Sequence, residues 1–276
     1  MIASRRHLVV AAGVLATAHA LAVVATATAA SSPQAPGEGS PPSASTSPPN
    51  QSTRAPTTAP PPLTTVALSN ERTSTTWAHP IEEVSIRQHP VPRSRGIART
   101  HLETEDGFPE VYPVLASFTD PRGRVWIRVR IPGRPNGRIG WVPRSALGEF
   151  HVTHWLLEIS LSRRRVTVYY AGRRRFTAPV GVGKPSTPTP TGHFWIRERF
   201  KLSSRSNPYW PYAFGTSDYS TLTEWPGGGV IGIHGDFGEP QLIPGDPSHG
   251  CVRMRSADIA WLGSRVQIGA PVNIIR

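Results

Sequence analysis

Apolar positions along this chain fall into three regimes. Behind Arg5 and Arg6, residues 8–30 are an uninterrupted run of apolar and small side chains. From Ser31 to about Thr76 apolar residues become sparse. From Trp77 onward they return in short alternating groups, the spacing of strands rather than helices. In residues 124–130, Val125, Ile127 and Val129 share one face, and Asn136-Gly137 marks a tight turn before residues 139–142. Residues 155–159 and 165–170 read as paired strands, and Ala171-Gly172 turns the chain into 175–180. Residues 191–196 begin a further strand, and 230–233 form a short apolar strand ending at His234. One helix is expected, with Ser256 as its cap, Asp258 in its first turn and Gly263 at its end. Residues 272–275 read as a closing strand.

These regimes divide the chain into four parts. Residues 1–30 read as a signal peptide or an N-terminal anchor. Ala27-Thr28-Ala29 is a small-residue cleavage site, and the 8–30 run has the length of about 20 residues that a spanning helix needs. Either way the rest of the chain is expected to be exported, working in the cell wall or periplasmic space, free or anchored to the cytoplasmic membrane. Residues 31–76 read as a disordered Pro/Ser/Thr linker. Ten prolines lie between residues 31 and 66, where Glu38 and Arg54 are the only charges. That composition cannot offset the entropy of ordering, and its extended reach is about 110 Å. Two β-rich units follow, at 77–148 and 152–276.

Charge adds a constraint on partners. Thirty bases face 18 acids, a formal +12, and all bases but Lys184 and Lys201 are arginine. Such a balance suits anionic polymers. The bases are scattered, however, and no basic helix or stacked-aromatic motif is present, so nucleic acid is not an expected partner. The single cysteine excludes an intramolecular disulfide framework and a multi-Cys zinc site.

That cysteine lies in Ser248-His249-Gly250-Cys251-Val252-Arg253. It is either a buried hydrophobe or a thiol with a chemical task. A nearby imidazole would lower its pKa and favour the nucleophilic thiolate. Gly250 lets the backbone approach a substrate and turn the Gly250 and Cys251 N–H groups toward one point, as an oxyanion hole requires. Two histidines could serve the thiol. His249 shares a face with Cys251 if the segment is a strand. His234, followed by Gly235, ends its own predicted strand. A zinc ion held by His234, His249 and Cys251 is the alternative. No second ligand cluster supports it, and neither metal nor cofactor is expected.

Two family resemblances rest on these residues. Residues 125–146, with their W-x-R-V strand and following G-W-V, resemble the end of a bacterial SH3-like barrel. Ile233-His234-Gly235 followed by Ser248-His249-Gly250-Cys251-Val252-Arg253-Met254 resembles the signature of the YkuD family of L,D-transpeptidases. Residues 180–184 and 187–192 match the same family's upstream segment. The expected fold is therefore mainly β: a small SH3-like barrel, then a YkuD-type β-sandwich or barrel with one short helix.

The resemblance implies a peptidoglycan L,D-transpeptidase that forms 3→3 cross-links through a Cys251 thioester. Donor and acceptor stem peptides are its partners, and carbapenem β-lactams its inhibitors. His234 is then the proton donor and acceptor, and the Gly235 carbonyl orients it. His249 shapes the oxyanion site or holds substrate, and Gly250 contributes to the oxyanion hole. Ser248 and Arg253 bind substrate, Arg253 pairing either with a substrate carboxylate or with Asp246. Tyr209, Trp210, Tyr212 and Tyr219 are expected at the lid or rim of the groove. Two other functions fit the same residues: an exported cysteine peptidase that trims stems as an L,D-carboxypeptidase, and a non-enzymatic wall-binding protein.

Overall fold

A computed structural model of the protein describes residues 65–224 and 226–276. The segment 1–30, expected to direct export, and the expected linker as far as residue 64 lie outside the described residues. Among the described residues no helix is long and apolar enough to cross a membrane. The described chain is mainly β, with two sheets and one α-helix.

The first sheet comprises β1 (Thr65–Ala67), β2 (Thr75–Pro80), β3 (Ser85–Arg87), β4 (Gly96–Arg99), β5 (Tyr112–Thr119), β6 (Val125–Arg130), β7 (Ile139–Pro143) and β8 (Leu147–Thr153). Their order is β4-β3-β7-β6-β5-β2-β8, with β1 also on β5, and the named pairings are antiparallel. The folded region begins earlier than the expected boundary at residue 76. Thr65 to Ala67 pair with β5. Asn70 Oδ1 then accepts from the amides of Arg72, Thr73 and Ser74 at 2.9, 2.8 and 3.2 Å, an Asx-type turn that feeds β2. In β6, Ile127 and Val129 are buried as the alternation predicts. Trp126 on the opposite face is buried too, and Val125 is the exposed one. Asn136-Gly137 turns as expected, with Gly137 at φ +84°, but within a longer loop over residues 131–138. That loop is closed by the Ile131 amide donating to the Arg138 carbonyl at 2.9 Å.

The second sheet comprises β9 (Trp155–Ser160), β10 (Arg165–Tyr170), β11 (Arg173–Pro179), β12 (Gly181–Gly183), β13 (Gly192–Lys201), β14 (Tyr212–Tyr219), β15 (Val230–His234), β16 (Gly245–Ser248), β17 (Val252–Arg253) and β18 (Pro271–Ile275). Their order is β11-β10-β9-β18-β13-β14-β15-β17-β12-β16. The helix α1 (Ser256–Gly263) follows β17. Its first residue is Ser256 rather than its cap, and the capping acceptor comes from elsewhere. Asp236 Oδ2 accepts from the Ser256 amide at 3.1 Å, which ties the loop after β15 to the helix start, where a carboxylate suits the helix dipole.

Each sheet has its own apolar cluster, one around Ile86, Tyr112, Ile127 and Val142, the other around Leu157, Phe194, Ile233 and Val252. Between them Trp77, Val111 and Trp195 pack together, and Trp195 Nε1–H donates to the Val111 carbonyl at 2.7 Å. A buried ion network reinforces this seam. Arg197 on β13 donates to Glu110 through Nε at 2.8 Å and through a second, shorter contact. It also donates to the Tyr219 hydroxyl at 2.9 Å and pairs with Glu105 at 3.0 Å. Removing one partner of such a buried pair typically costs about 3–5 kcal/mol.

Candidate active site

The site forms where β15 and β17 run parallel, with Ile233 beside Val252 and His234 beside Arg253. This register carries His234, at the end of β15, next to the turn that precedes β17. Gly232 and His234, two residues apart on β15, face the same way. A Cβ built on Gly232 would lie 3.5 Å from His234 Cδ2 and 3.9 Å from Cys251 Sγ. Glycine there keeps a side chain out of the space beside both the imidazole and the sulfur. The Gly232 amide donates to Cys251 Sγ at 3.4 Å.

His234 is buried. Its Nδ1–H donates to the Gly235 carbonyl at 2.8 Å, which leaves the Nε2 lone pair available. Gly235 has no room for a side chain, since a Cβ would collide with the Trp210 carbonyl. The ring sits edge-on to Tyr209, with centroids 4.6 Å apart, and near Phe237 at 5.2 Å.

Electrostatics correct the expectation of a thiolate at rest. Burial pushes the Cys251 thiol up, and Asp218 adds to the rise, outweighing the Gly232 hydrogen bond and Arg253. Burial also lowers His234 to about 4, against the Gly235 hydrogen bond, with Arg253 reinforcing the fall. At neutral pH the resting pair is therefore thiol and neutral imidazole, because desolvation penalises both charged forms.

The turn carrying Cys251 is tied down from within. Gly250 has φ +128°, and a Cβ there would lie 2.7 Å from Ile231 Cδ1. Ser248 lines the smaller cavity. Its buried hydroxyl donates to the Cys251 carbonyl at 2.6 Å and accepts from the Gly250 amide at 3.1 Å. The Gly250 amide, expected in the oxyanion hole, thus has an acceptor inside the turn. Thr189 Oγ1 accepts from the Gly183 amide at 2.9 Å and donates to the Gly250 carbonyl at 2.6 Å, which couples β12 to the turn.

Arg253 lies with its guanidinium 4.3 Å from the Phe237 ring centroid and donates to Glu239 at 3.0 Å. The alternative pairing with Asp246 is not made. Asp246 binds Arg164 through two bonds of 2.7 and 2.8 Å. Buried Arg253 Nε has no hydrogen-bond partner. Lys184 Nζ donates to His249 Nε2 at 2.9 Å, so that nitrogen acts as an acceptor. Of the four aromatics expected at the rim, Tyr209 lines the cleft. Tyr219 is buried in the Arg197 network, and the Tyr212 ring packs against Gly263.

Cys251 and His234 line two cavities at once. One, of about 60 Å³, is walled by Ser220, Ile231, His249 and Arg253. The other, of about 540 Å³, is walled by Phe108, Glu198, Phe214 and Val230. Phe108 belongs to the first sheet's 101–110 loop, whose contribution carried no local signal in the sequence. Asp218 is a second such case. It is fully buried, burial pushes it up to about 8, and Asn136 Nδ2 donates to it at 2.9 Å.

A lone thiol and a backbone-oriented imidazole lining the same cavities define a cysteine–histidine site on a mixed β-sheet. Residues 154–274 match the family model of the YkuD L,D-transpeptidase catalytic domain. A Bacillus subtilis protein named as the L,D-transpeptidase YkuD is 34% identical over 120 residues. That match covers 44% of this chain and 65% of the relative, so the chain spans slightly under two thirds of that protein's length. L,D-transpeptidase 1 of Mycobacterium tuberculosis is 24% identical over 201 residues, covering 59% of this chain and 78% of that protein. A crystal structure of an L,D-transpeptidase from Mycobacterium tuberculosis aligns with a TM-score of 0.40 and 16% identity, over 72% of this chain and 98% of that one.

Proposed function

We propose that the protein is a peptidoglycan L,D-transpeptidase that forms 3→3 cross-links by acyl transfer through Cys251. The observation that carries this reading is that Cys251 and His234 border two adjoining cavities, which also share Tyr209 and Val230. A transferase must present one acyl centre to two substrates, whereas a hydrolase needs a single stem and water.

Because the resting pair is neutral, attack and proton transfer are concerted. Sγ bonds to the carbonyl carbon of the third stem residue as His234 Nε2 takes the thiol proton. The tetrahedral oxyanion is stabilised by the Cys251 N–H, aimed by the turn that Ser248 and Thr189 brace. As the intermediate collapses, the C–N bond to the terminal D-alanine breaks and its nitrogen receives the proton from His234. The thioester then meets the amine of a second stem. His234 removes that amine's proton, the new amide forms, and the proton returns to sulfur. Lys184 and Arg253 place positive charge beside the cleft, where it attracts stem carboxylates. Export, by signal peptide or retained anchor, places this chemistry at the wall. A carbapenem acylates the same thiol by opening its lactam.

Mass analysis of products tests the reading. Purified tetrapeptide stems are expected to give cross-linked dimers with release of D-alanine. Tripeptide stems without dimers would show that water, not an amine, takes the acyl group.

A further inference from the structure

Ser220 and Gly229 line the smaller cavity together with His249 and Cys251. Gly227, Gly228 and Gly229 all have positive φ, at 69, 64 and 81°. Three consecutive glycines supply no side chains with which this wall could anchor itself. Among the described residues, the Ser220 amide donates to the Gly229 carbonyl at 2.9 Å and the Leu222 amide to Ser220 Oγ at 3.1 Å.

The anchoring comes from the 131–138 loop of the first sheet. Arg134 donates to the Ser220 carbonyl through Nε at 2.9 Å and a terminal nitrogen at 2.6 Å, and to the Gly228 carbonyl at 2.9 Å. Its guanidinium lies 5.1 Å from the Tyr219 ring centroid. The Asn136 carboxamide donates to Asp218 Oδ1 at 2.9 Å and the Tyr219 carbonyl at 3.0 Å, and accepts from the Tyr219 amide at 3.2 Å. Two side chains thus make six hydrogen bonds to the wall from another sheet. Neither lines the cavities at Cys251.

We propose that Arg134 and Asn136 are positioning residues: the 131–138 loop fixes the shape of the substrate wall, so the catalytic site is built by both sheets. This rests on the transfer reading above. The Ser220 side chain links wall and nucleophile, since a Cβ on Gly250 would lie 3.7 Å from Ser220 Cβ. A wall released from Arg134 and Asn136 exchanges among conformations, and substrate binding then bears the cost of ordering it. The His234–Cys251 pair, held by the β15–β17 register, stays in place.

The test compares the full chain with Arg134→Ala, Asn136→Ala and Arg134→Lys, using acylation of Cys251 by a carbapenem at varied concentration. Arg134 is exposed, so its truncation leaves the apolar clusters intact. Each alanine variant is expected to raise the half-saturating concentration about tenfold, on the scale of one net hydrogen bond lost. The limiting rate should stay within about threefold, and Arg134→Lys should fall between. Amide hydrogen exchange over residues 219–230 should accelerate about tenfold in the alanine variants while β15 and β17 keep wild-type protection. Unchanged half-saturation and exchange in both alanine variants overturn the assignment. So does a loss of limiting rate with half-saturation unmoved, or faster exchange spread over both sheets. Absence of acylation in the wild type overturns the transfer reading and this assignment together. Wild-type acylation with unaltered variants overturns this assignment alone.

Discussion

Cys251→Ser is expected to fold as the wild type does and to lose transfer by about 10⁴-fold or more, the scale on which a nucleophile–base unit fails when its nucleophile is removed. The exchange replaces one atom in a turn whose geometry is set by Ser248, Thr189 and Gly250, so the melting temperature should move by only a few degrees. The large loss follows from the weakness of the base. An imidazole whose pKa burial has lowered to about 4 can assist a thiol, which gives up its proton readily, but does little for a hydroxyl. Melting curves and product assays on the same preparation check both halves. Transfer near the wild-type rate in the serine variant would contradict a thiol mechanism.

His234→Ala should carry the next largest effect, slowing acylation by about 10²- to 10⁴-fold through loss of the general base. Its pH signature separates two mechanisms. In the wild type, His234 is lowered to about 4, so its basic form persists above that value and is lost as pH falls through it. The acid limb of the acylation profile should therefore lie near 4, well below the ordinary histidine value of about 6.5. The thiol is held up by burial, not down by an imidazolium. Removing His234 should then leave the pH profile of iodoacetamide alkylation without an upward shift. A clear rise in thiol pKa in His234→Ala, with an acid limb near 6.5 in the wild type, would restore the thiolate–imidazolium pair that the sequence alone suggested.

Much of the site was readable because its chemistry is local. His234-Gly235 and the 248–253 turn are short runs in which glycine, thiol and imidazole sit at spacings that only a few functions need. The strands were readable for the same reason, since alternation is a near-neighbour pattern. What escaped the sequence lies in pairings between distant residues. Asn136 looked like a turn former, yet its carboxamide is used 82 residues away on Asp218. Arg197 was one arginine among many, and its buried partner Glu110 lies 87 residues away. Ser248 was assigned to substrate because a hydroxyl beside a nucleophile suggests contact. Only the fold shows that both its hydrogen bonds close the turn. The thiol's resting state was misjudged because residue identity reveals a neighbouring imidazole but not the burial that neutralises both groups.

The most direct test of the central claim, acyl transfer through Cys251, is the intact-protein mass after incubation with a carbapenem, followed by peptide mapping. The account predicts one adduct of the full carbapenem mass, located on the peptide containing Cys251 and missing from Cys251→Ala. An unmodified wild-type protein, or an adduct that persists in Cys251→Ala, would contradict it.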